Sequence, residues 1–405
     1  MSFGLIDLLV IAATLALLVV LMLPKLRAKP GWRAAITPLA SIIGSGFLVI
    51  GPVLAHVAGR WAVEAMLGLC ALAWLFGSAI RFNIAGLDRE PGTPHAMKAA
   101  SDRFAHWDRM SQLLLALAYF VSVAYYLNLL GAYLLKGFGV VDPVLARTAT
   151  SLLVVGLGGL GFLHGFKGIE RVEVIAVSFK LAVIGGLLLA LLQHRFGGFD
   201  PGSVPISDES DGWTAMRVLL GCVLLVQGFE TSRFLGHEYD ARTRARSMRR
   251  AQLLSTGIYV AFIFLVLPLV PPGGIDVGSE TEIVDIVATV AMVLGPMLVL
   301  AAIASQLSAA VADMGGSGGL LTEVSGGRVS ARMAYVAITA VVLVLTWTVD
   351  IFSIIAFASR AFAAYYAIQC GLAAWLAEGR HSRRAWYSLG ALLALAVVVL
   401  GKPAE

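Results

Sequence analysis

Apolar residues run along this chain in long unbroken stretches, separated by short charged ones. They show neither the alternation of a half-buried strand nor the stripe of a soluble helix. Twelve stretches stand out, at 4–23, 35–57, 61–80, 110–135, 147–164, 172–193, 214–236, 251–271, 286–312, 333–349, 351–377 and 386–401. A helix of about 20 residues crosses a hydrocarbon layer ~30 Å thick. Backbone groups in lipid must pair within their own segment, so each stretch is predicted to be helical. No series of ~10-residue alternating strands points to a membrane barrel. The apolar start at 4–23 has no positive charge before it and no small-residue cleavage site after it. Pro24-Lys25-Leu26-Arg27 follows instead, so this stretch is expected to remain as a first helix.

Composition agrees. The chain is 59% hydrophobic and 14% charged, against about 25% charged in soluble domains. That excludes a cytosolic enzyme, a disordered chain and a disulfide scaffold, and leaves an all-α integral membrane protein. The net charge of +5 does not imply nucleic acid, because excess Lys and Arg mark the cytoplasmic loops of membrane proteins. Of the basic residues, twenty-one lie in the loops that begin with 24–34 and alternate from there, and five lie in the loops between them. The richer side is expected to be cytoplasmic. With an even number of spans, both termini are then outside a cell (inner or plasma) membrane. Cys70, Cys222 and Cys370 fall inside apolar stretches at no metal-site spacing and read as packing residues.

With residues 1–24 set apart as an extra helix and 386–401 as a final one, ten spans remain. Five occupy 35–193 and five occupy 214–377, groups of 159 and 164 residues. Five is odd, so the second group crosses the membrane opposite to the first, as in the inverted repeats of secondary transporters. The first helix of each group is interrupted at mid-depth, by Ile43-Gly44-Ser45-Gly46-Phe47 and by Gln227-Gly228-Phe229-Glu230-Thr231. Each glycine costs a helix about 1 kcal/mol relative to alanine. Small residues also serve helix packing, but two such motifs at matching positions favour broken helices.

These residues, with Lys180 in Val177-Ser178-Phe179-Lys180-Leu181, resemble the hallmarks of the amino acid–polyamine–organocation (APC) superfamily of transporters. The resemblance covers residues 35–377 and implies a five-plus-five inverted-repeat fold of the leucine-transporter type. The chain departs from typical members in its extra first helix and in a prolineless Glu238-Tyr239-Asp240-Ala241-Arg242 stretch, the mark of a divergent branch.

Broken helices expose amides and carbonyls at mid-membrane, and these suit a carboxylate and an ammonium respectively. Ile43, Gly44, Ser45, Gly46, Gln227, Gly228, Phe229 and Glu230, with Tyr125, are therefore the expected substrate-binding residues. Glu230 reads as the one clear mid-span carboxylate, which favours a zwitterion over a polycation. It is a candidate for proton relay or gate or, alternatively, a structural cap of the broken turn or partner of Arg233. Lys180 lies near the middle of 172–193, where a lysine costs about 2.5–3.5 kcal/mol, so it is expected to be functional. The resemblance puts it where sodium-coupled relatives hold their ion. Ser305 and Ser308, one turn apart, are the ligands of the alternative, a sodium symporter. Tyr119, Tyr126, Tyr365 and Tyr366 are candidate lids, and Arg360 a candidate partner for a carboxylate. No motif of hydrolysis, phosphate binding or zinc ligation occurs, and no catalytic residue, cofactor or metal is expected. The function read from the sequence is secondary transport of an amino acid or related small amine, proton-coupled or by exchange. The expected partners are the substrate, protons and the lipid bilayer. A non-transporting receptor of the same fold is a further alternative.

Overall fold

A computed structural model describes residues 4–44, 46–87, 101–165, 169–196, 211–270, 281–377 and 379–404. Its regular structure in that range is all helix, joined by short turns. The first half holds α1 (Leu5–Met22), α2 (Pro24–Arg27), α3 (Pro30–Ile42), α4 (Gly46–Ala58), α5 (Ala62–Leu87), α6 (Asp102–Gly137), α7 (Pro143–His164) and α8 (Ile169–Phe196). The second holds α9 (Gly212–Gly221), α10 (Ala241–Val266), α11 (Ile283–Ala288), α12 (Leu294–Val324), α13 (Ala331–Thr348), α14 (Ile351–Leu376) and α15 (His381–Leu400). Two 3-10 segments, Val223–Val226 and Phe229–His237, continue α9.

Ten helical stretches among the described residues are long and apolar enough to cross a membrane. The two further passes are those expected at 35–57 and 214–236, and both are split. α3 stops at Ile42 and α4 starts at Gly46, while α9 passes through two 3-10 pieces separated by Gln227 and Gly228. Helix starts follow local chemistry. Ser101, Asp142, Asp211, Asp240, Ser330 and Asp350 each accept a backbone amide from the first turn of the helix they precede, satisfying donors that have no partner inside the helix. Those caps carry α6 and α10 eight to ten residues beyond their apolar stretches, to 102 and 241.

The helix expected at 286–312 is shifted along the chain. It begins at Leu294 and continues to Val324, straight through Gly315-Gly316-Ser317-Gly318-Gly319. The glycines do not end the helix because they are a packing face. The Tyr119 ring lies against Gly316 and the Tyr335 ring against Gly318, a close approach that small residues permit between membrane helices.

α6 runs through the centre of the bundle, packed on α12 and α14. Leu152 and Leu160 on α7, Val336 and Val344 on α13, and Leu392 and Val399 on α15 are exposed, forming an apolar exterior suited to lipid. The extra helix α1 packs on α8, and its Asp7 carboxylate accepts the Val293 amide at the start of α12, 2.9 Å away. At the other end of the chain the Lys402 amide donates to the Arg217 carbonyl of α9 at 2.9 Å. Both chain ends therefore lie at the end of the bundle where α9 and α12 begin.

Candidate functional site

The two breaks meet each other. A Cβ on Gly46 would fall 2.6 Å from the Leu225 carbonyl oxygen, and one on Gly228 would fall 2.6 Å from the Ile42 nitrogen. Gly228 also has φ +112°, a left-handed conformation that glycine adopts without strain. Crossing at this distance leaves the carbonyls of both interrupted helices pointing inward, and side chains from four other helices answer them. The Tyr259 hydroxyl of α10 reaches both breaks, at 2.6 Å from the Ile42 carbonyl and 2.8 Å from the Leu225 carbonyl. Ser359 of α14 donates to the Gly221 carbonyl at 2.6 Å and accepts the Leu224 amide at 2.8 Å. Lys180 of α8 donates to the Ala40 carbonyl at 2.7 Å and to Ser305 Oγ of α12 at 3.3 Å. Ser305 in turn donates to the Ile43 carbonyl at 3.4 Å.

Lys180 is 2% exposed. Its ammonium fills the seat between the carbonyl end of α3, which carries partial negative charge, and the serine that the sodium alternative required. Ser308 lies one turn further on, its hydroxyl buried and without a partner among the described residues.

Glu230 is fully buried and closes the second break on itself. Its Oε2 accepts the Gly228 amide at 3.0 Å and the Tyr366 hydroxyl at 2.8 Å, while Oε1 has no partner among the described residues. Of the two structural alternatives for Glu230, the cap of the broken turn forms and the pairing with Arg233 does not. Arg233 instead binds Asp108 of α6 at 2.5 Å and Gln369 of α14 at 2.7 Å, and Asn83 of α5 donates to the same Gln369 oxygen at 2.8 Å. That cluster ties four elements together at one end of the bundle, one turn beyond Glu230.

Gly44 and Gln227 are drawn together around Tyr126, whose hydroxyl accepts the Gln227 amide at 3.3 Å. Tyr125 sits beside it, with ring centroids 5.4 Å apart. Ser45 lies outside the described residues. Phe229 is a wedge and not an open contact, since its ring stacks on Tyr366, which also stacks on Phe76. Tyr365 joins the same aromatic core, tilted against Tyr366 with centroids 5.4 Å apart. Arg360 is likewise structural, its guanidinium donating to the Gly401 carbonyl just past α15.

One residue of the site was missed. Asp313 is 2% exposed, inside α12, and its Oδ2 accepts the Ser122 hydroxyl of α6. It lines a cavity of about 630 Å³ together with Thr37, Tyr119, Glu173, Thr231 and Tyr335. The cavity spans from the loop end of α7 and α13 up to Thr231, the neighbour of Glu230. Ending that helix at residue 312 had hidden a second mid-helix carboxylate. A carboxylate preceded by Ala309-Ala310-Val311-Ala312, with no proline or helix-capping turn, was the available signal. A separate cavity of about 310 Å³, lined by Asn128, Arg147, Thr281 and Asp350, lies at the opposite end of α6.

Substituting phenylalanine for Tyr259 tests this geometry. It strands two buried carbonyls, each worth on the order of 1–3 kcal/mol when left unmade, and is expected to lower the melting temperature in detergent by several degrees. An unchanged melting temperature would mean that the breaks hold together without this bridge.

Over residues 24–401 the chain matches the family described as APC superfamily transporter. A curated relative from Aquifex aeolicus (strain VF5), described as an uncharacterized protein, is 39% identical over 409 residues, with 98% of each chain covered. Among solved structures the fold is similar to MhsT in complex with L-phenylalanine, with TM-score 0.58 and 15% identity over 90% of this chain and 98% of that one. It is similar to a Na+-coupled sialic acid symporter, with TM-score 0.54 and 14% identity over 100% and 99% of the two chains. It is also similar to a manganese transporter of Eremococcus coleocola, with TM-score 0.60 and 13% identity over 93% and 85%. These likenesses show the shared leucine-transporter-type fold.

Proposed function

The chain belongs to the APC superfamily of secondary transporters, and from that premise we propose that it moves an amino acid or related small amine by alternating access, driven by protons or by exchange. The observation that carries this reading is the Lys180 ammonium, 2.7 Å from the Ala40 carbonyl and bonded to Ser305. A fixed or protonatable cation in that seat does the work of a bound sodium ion, linking α8 and α12 to the broken helix α3. The substrate lies where Gly44, Gln227, Tyr125 and Tyr126 converge, with its ammonium toward inward-facing carbonyls and its carboxylate toward the amides that open α4. Glu230 already occupies the amide end of the second break. The related fold that holds L-phenylalanine supports an amino acid as cargo, although the sialic acid and manganese transporters show that the fold serves other solutes.

In this reading the repeats are 35–193 and 214–377, α1 is an addition, and α15 closes the bundle. The deciding measurement is uptake of a labelled amino acid and amine panel into proteoliposomes under imposed proton or sodium gradients. Uptake driven by a proton gradient or by counterflow, and indifferent to sodium, is expected. A sodium requirement would favour Ser305 and Ser308 as ion ligands.

In this reading the basic loops are cytoplasmic and both termini lie outside the cell membrane. A cysteine added after Glu405 is therefore expected to react with an impermeant maleimide from outside intact cells. Labelling only in inverted vesicles would reverse the orientation.

A further inference from the structure

Lys180, Glu230 and Asp313 are charge-bearing side chains no more than 2% exposed, and they do not balance. The ammonium of Lys180 is spent on a backbone carbonyl and a serine. The nearby guanidinium of Arg233 is spent on Asp108. Glu230 and Asp313 lie close enough to interact electrostatically with each other and with the Tyr119 and Tyr126 hydroxyls. Among the described residues neither carboxylate meets a cation. An uncompensated carboxylate in low dielectric is costly, and inside a membrane bundle such a group marks a ligand or ion path.

The two carboxylates are placed differently. Glu230 is sealed under Tyr366 and the Gly228 amide. Asp313 lies on the wall of the 630 Å³ cavity, within the size range of small-molecule pockets. Ser122 holds its Oδ2. One turn along α6 from Ser122, the Tyr119 ring lines the same wall, held edge-on by Phe362 with centroids 5.7 Å apart. Thr231 adds a hydroxyl oxygen, and Glu173 a second carboxylate further along the wall. A buried carboxylate beside an aromatic ring and hydroxyl oxygens is the chemistry that receives an ammonium group.

We propose that Asp313, oriented by Ser122 and flanked by Tyr119 and Thr231, is a binding site for a protonated amine at the inner end of this cavity, separate from the helix breaks. This inference rests on the reading of the protein as an amine or amino acid transporter. It adds that the preferred solute carries a positive charge beyond that of a zwitterion. The ammonium passes between the breaks and the cavity mouth by exchanging backbone carbonyls for Asp313.

Lysine and norleucine share a carbon skeleton and differ by the ε-ammonium, so the pair isolates the charge. Isothermal titration of the purified protein at one pH is expected to show lysine binding at least tenfold tighter than norleucine. Asp313→Asn should remove that preference by weakening lysine at least tenfold, down to the affinity of norleucine, and a melting temperature within a few degrees of wild type reports an intact fold. Asp313→Glu should recover part of the preference, and Ser122→Ala should lose part of it. An unchanged lysine-to-norleucine ratio in Asp313→Asn overturns the site. So does a wild-type protein that binds norleucine as tightly as lysine, which leaves the amino acid reading standing. Binding of neither ligand, nor of any amine or amino acid in the transport panel, overturns the transport reading together with this one.

Discussion

Alanine in place of Lys180 is expected to lower uptake in proteoliposomes at least tenfold and to flatten its dependence on pH, while substrate binding stays measurable. The reason is where the ammonium sits. Through Ala40 and Ser305 it joins α8, the interrupted end of α3 and α12, and Ser305 carries the contact on to Ile43. Removing it leaves the partial negative charge of a helix end without a counter-charge in a buried site. Alanine therefore loosens the joint in every protonation state, and the rocking of the broken helices no longer follows the proton. Arginine is not expected to rescue the coupling, since its guanidinium is wider and effectively never deprotonates. Wild-type rate and pH profile in the alanine variant would make the lysine a packing residue only. Appearance of a sodium requirement in the wild type would transfer the role to Ser305 and Ser308.

Lys180 was legible because a charge at the middle of an apolar stretch has few inert explanations. The breaks were legible because glycines around a serine and before a Phe-Glu pair fall at matching positions in the two groups of five spans. What could not be read depends on contacts between distant segments. Tyr259 looks like any aromatic in an apolar span, and its role appears only when two carbonyls, of Ile42 and Leu225, converge on one hydroxyl. Asp313 was lost to a boundary. The apolar stretch was ended at 312, one residue short of it, yet the helix continues to Val324, with rings from α6 and α13 packed against Gly316 and Gly318. The restoration of Asp313 changes the charge argument, because the preference for a zwitterion rested on Glu230 being the single mid-span carboxylate. The contacts of Arg360 with the Gly401 carbonyl and of Phe229 with the Tyr366 ring likewise join distant segments and could not be read from sequence.

The two glycines of the first break are expected to fail in different ways when replaced by leucine. At Gly46 the first added carbon would lie 2.6 Å from the Leu225 carbonyl oxygen and 3.0 Å from its Cα. Those are backbone atoms of the other interrupted helix, held in turn by Tyr259, so nothing at that contact can rotate away. Overpacking of this kind costs about 1–3 kcal/mol when neighbours can relax, and more here. Gly46→Leu should give little monodisperse protein in detergent. At Gly44 the nearest atoms of another element belong to the Tyr126 side chain, with Cε1 at 3.4 Å and the hydroxyl at 3.9 Å, and a ring can shift by a few tenths of an ångström. Gly44→Leu should therefore purify and melt like the wild type, but its side chain would fill the space between the break, Tyr126 and Gln227. Substrate affinity is expected to fall at least tenfold. Full affinity in a well-folded Gly44→Leu protein would mean that this space is not the substrate site, and that the solute binds only along the cavity where Asp313 lies.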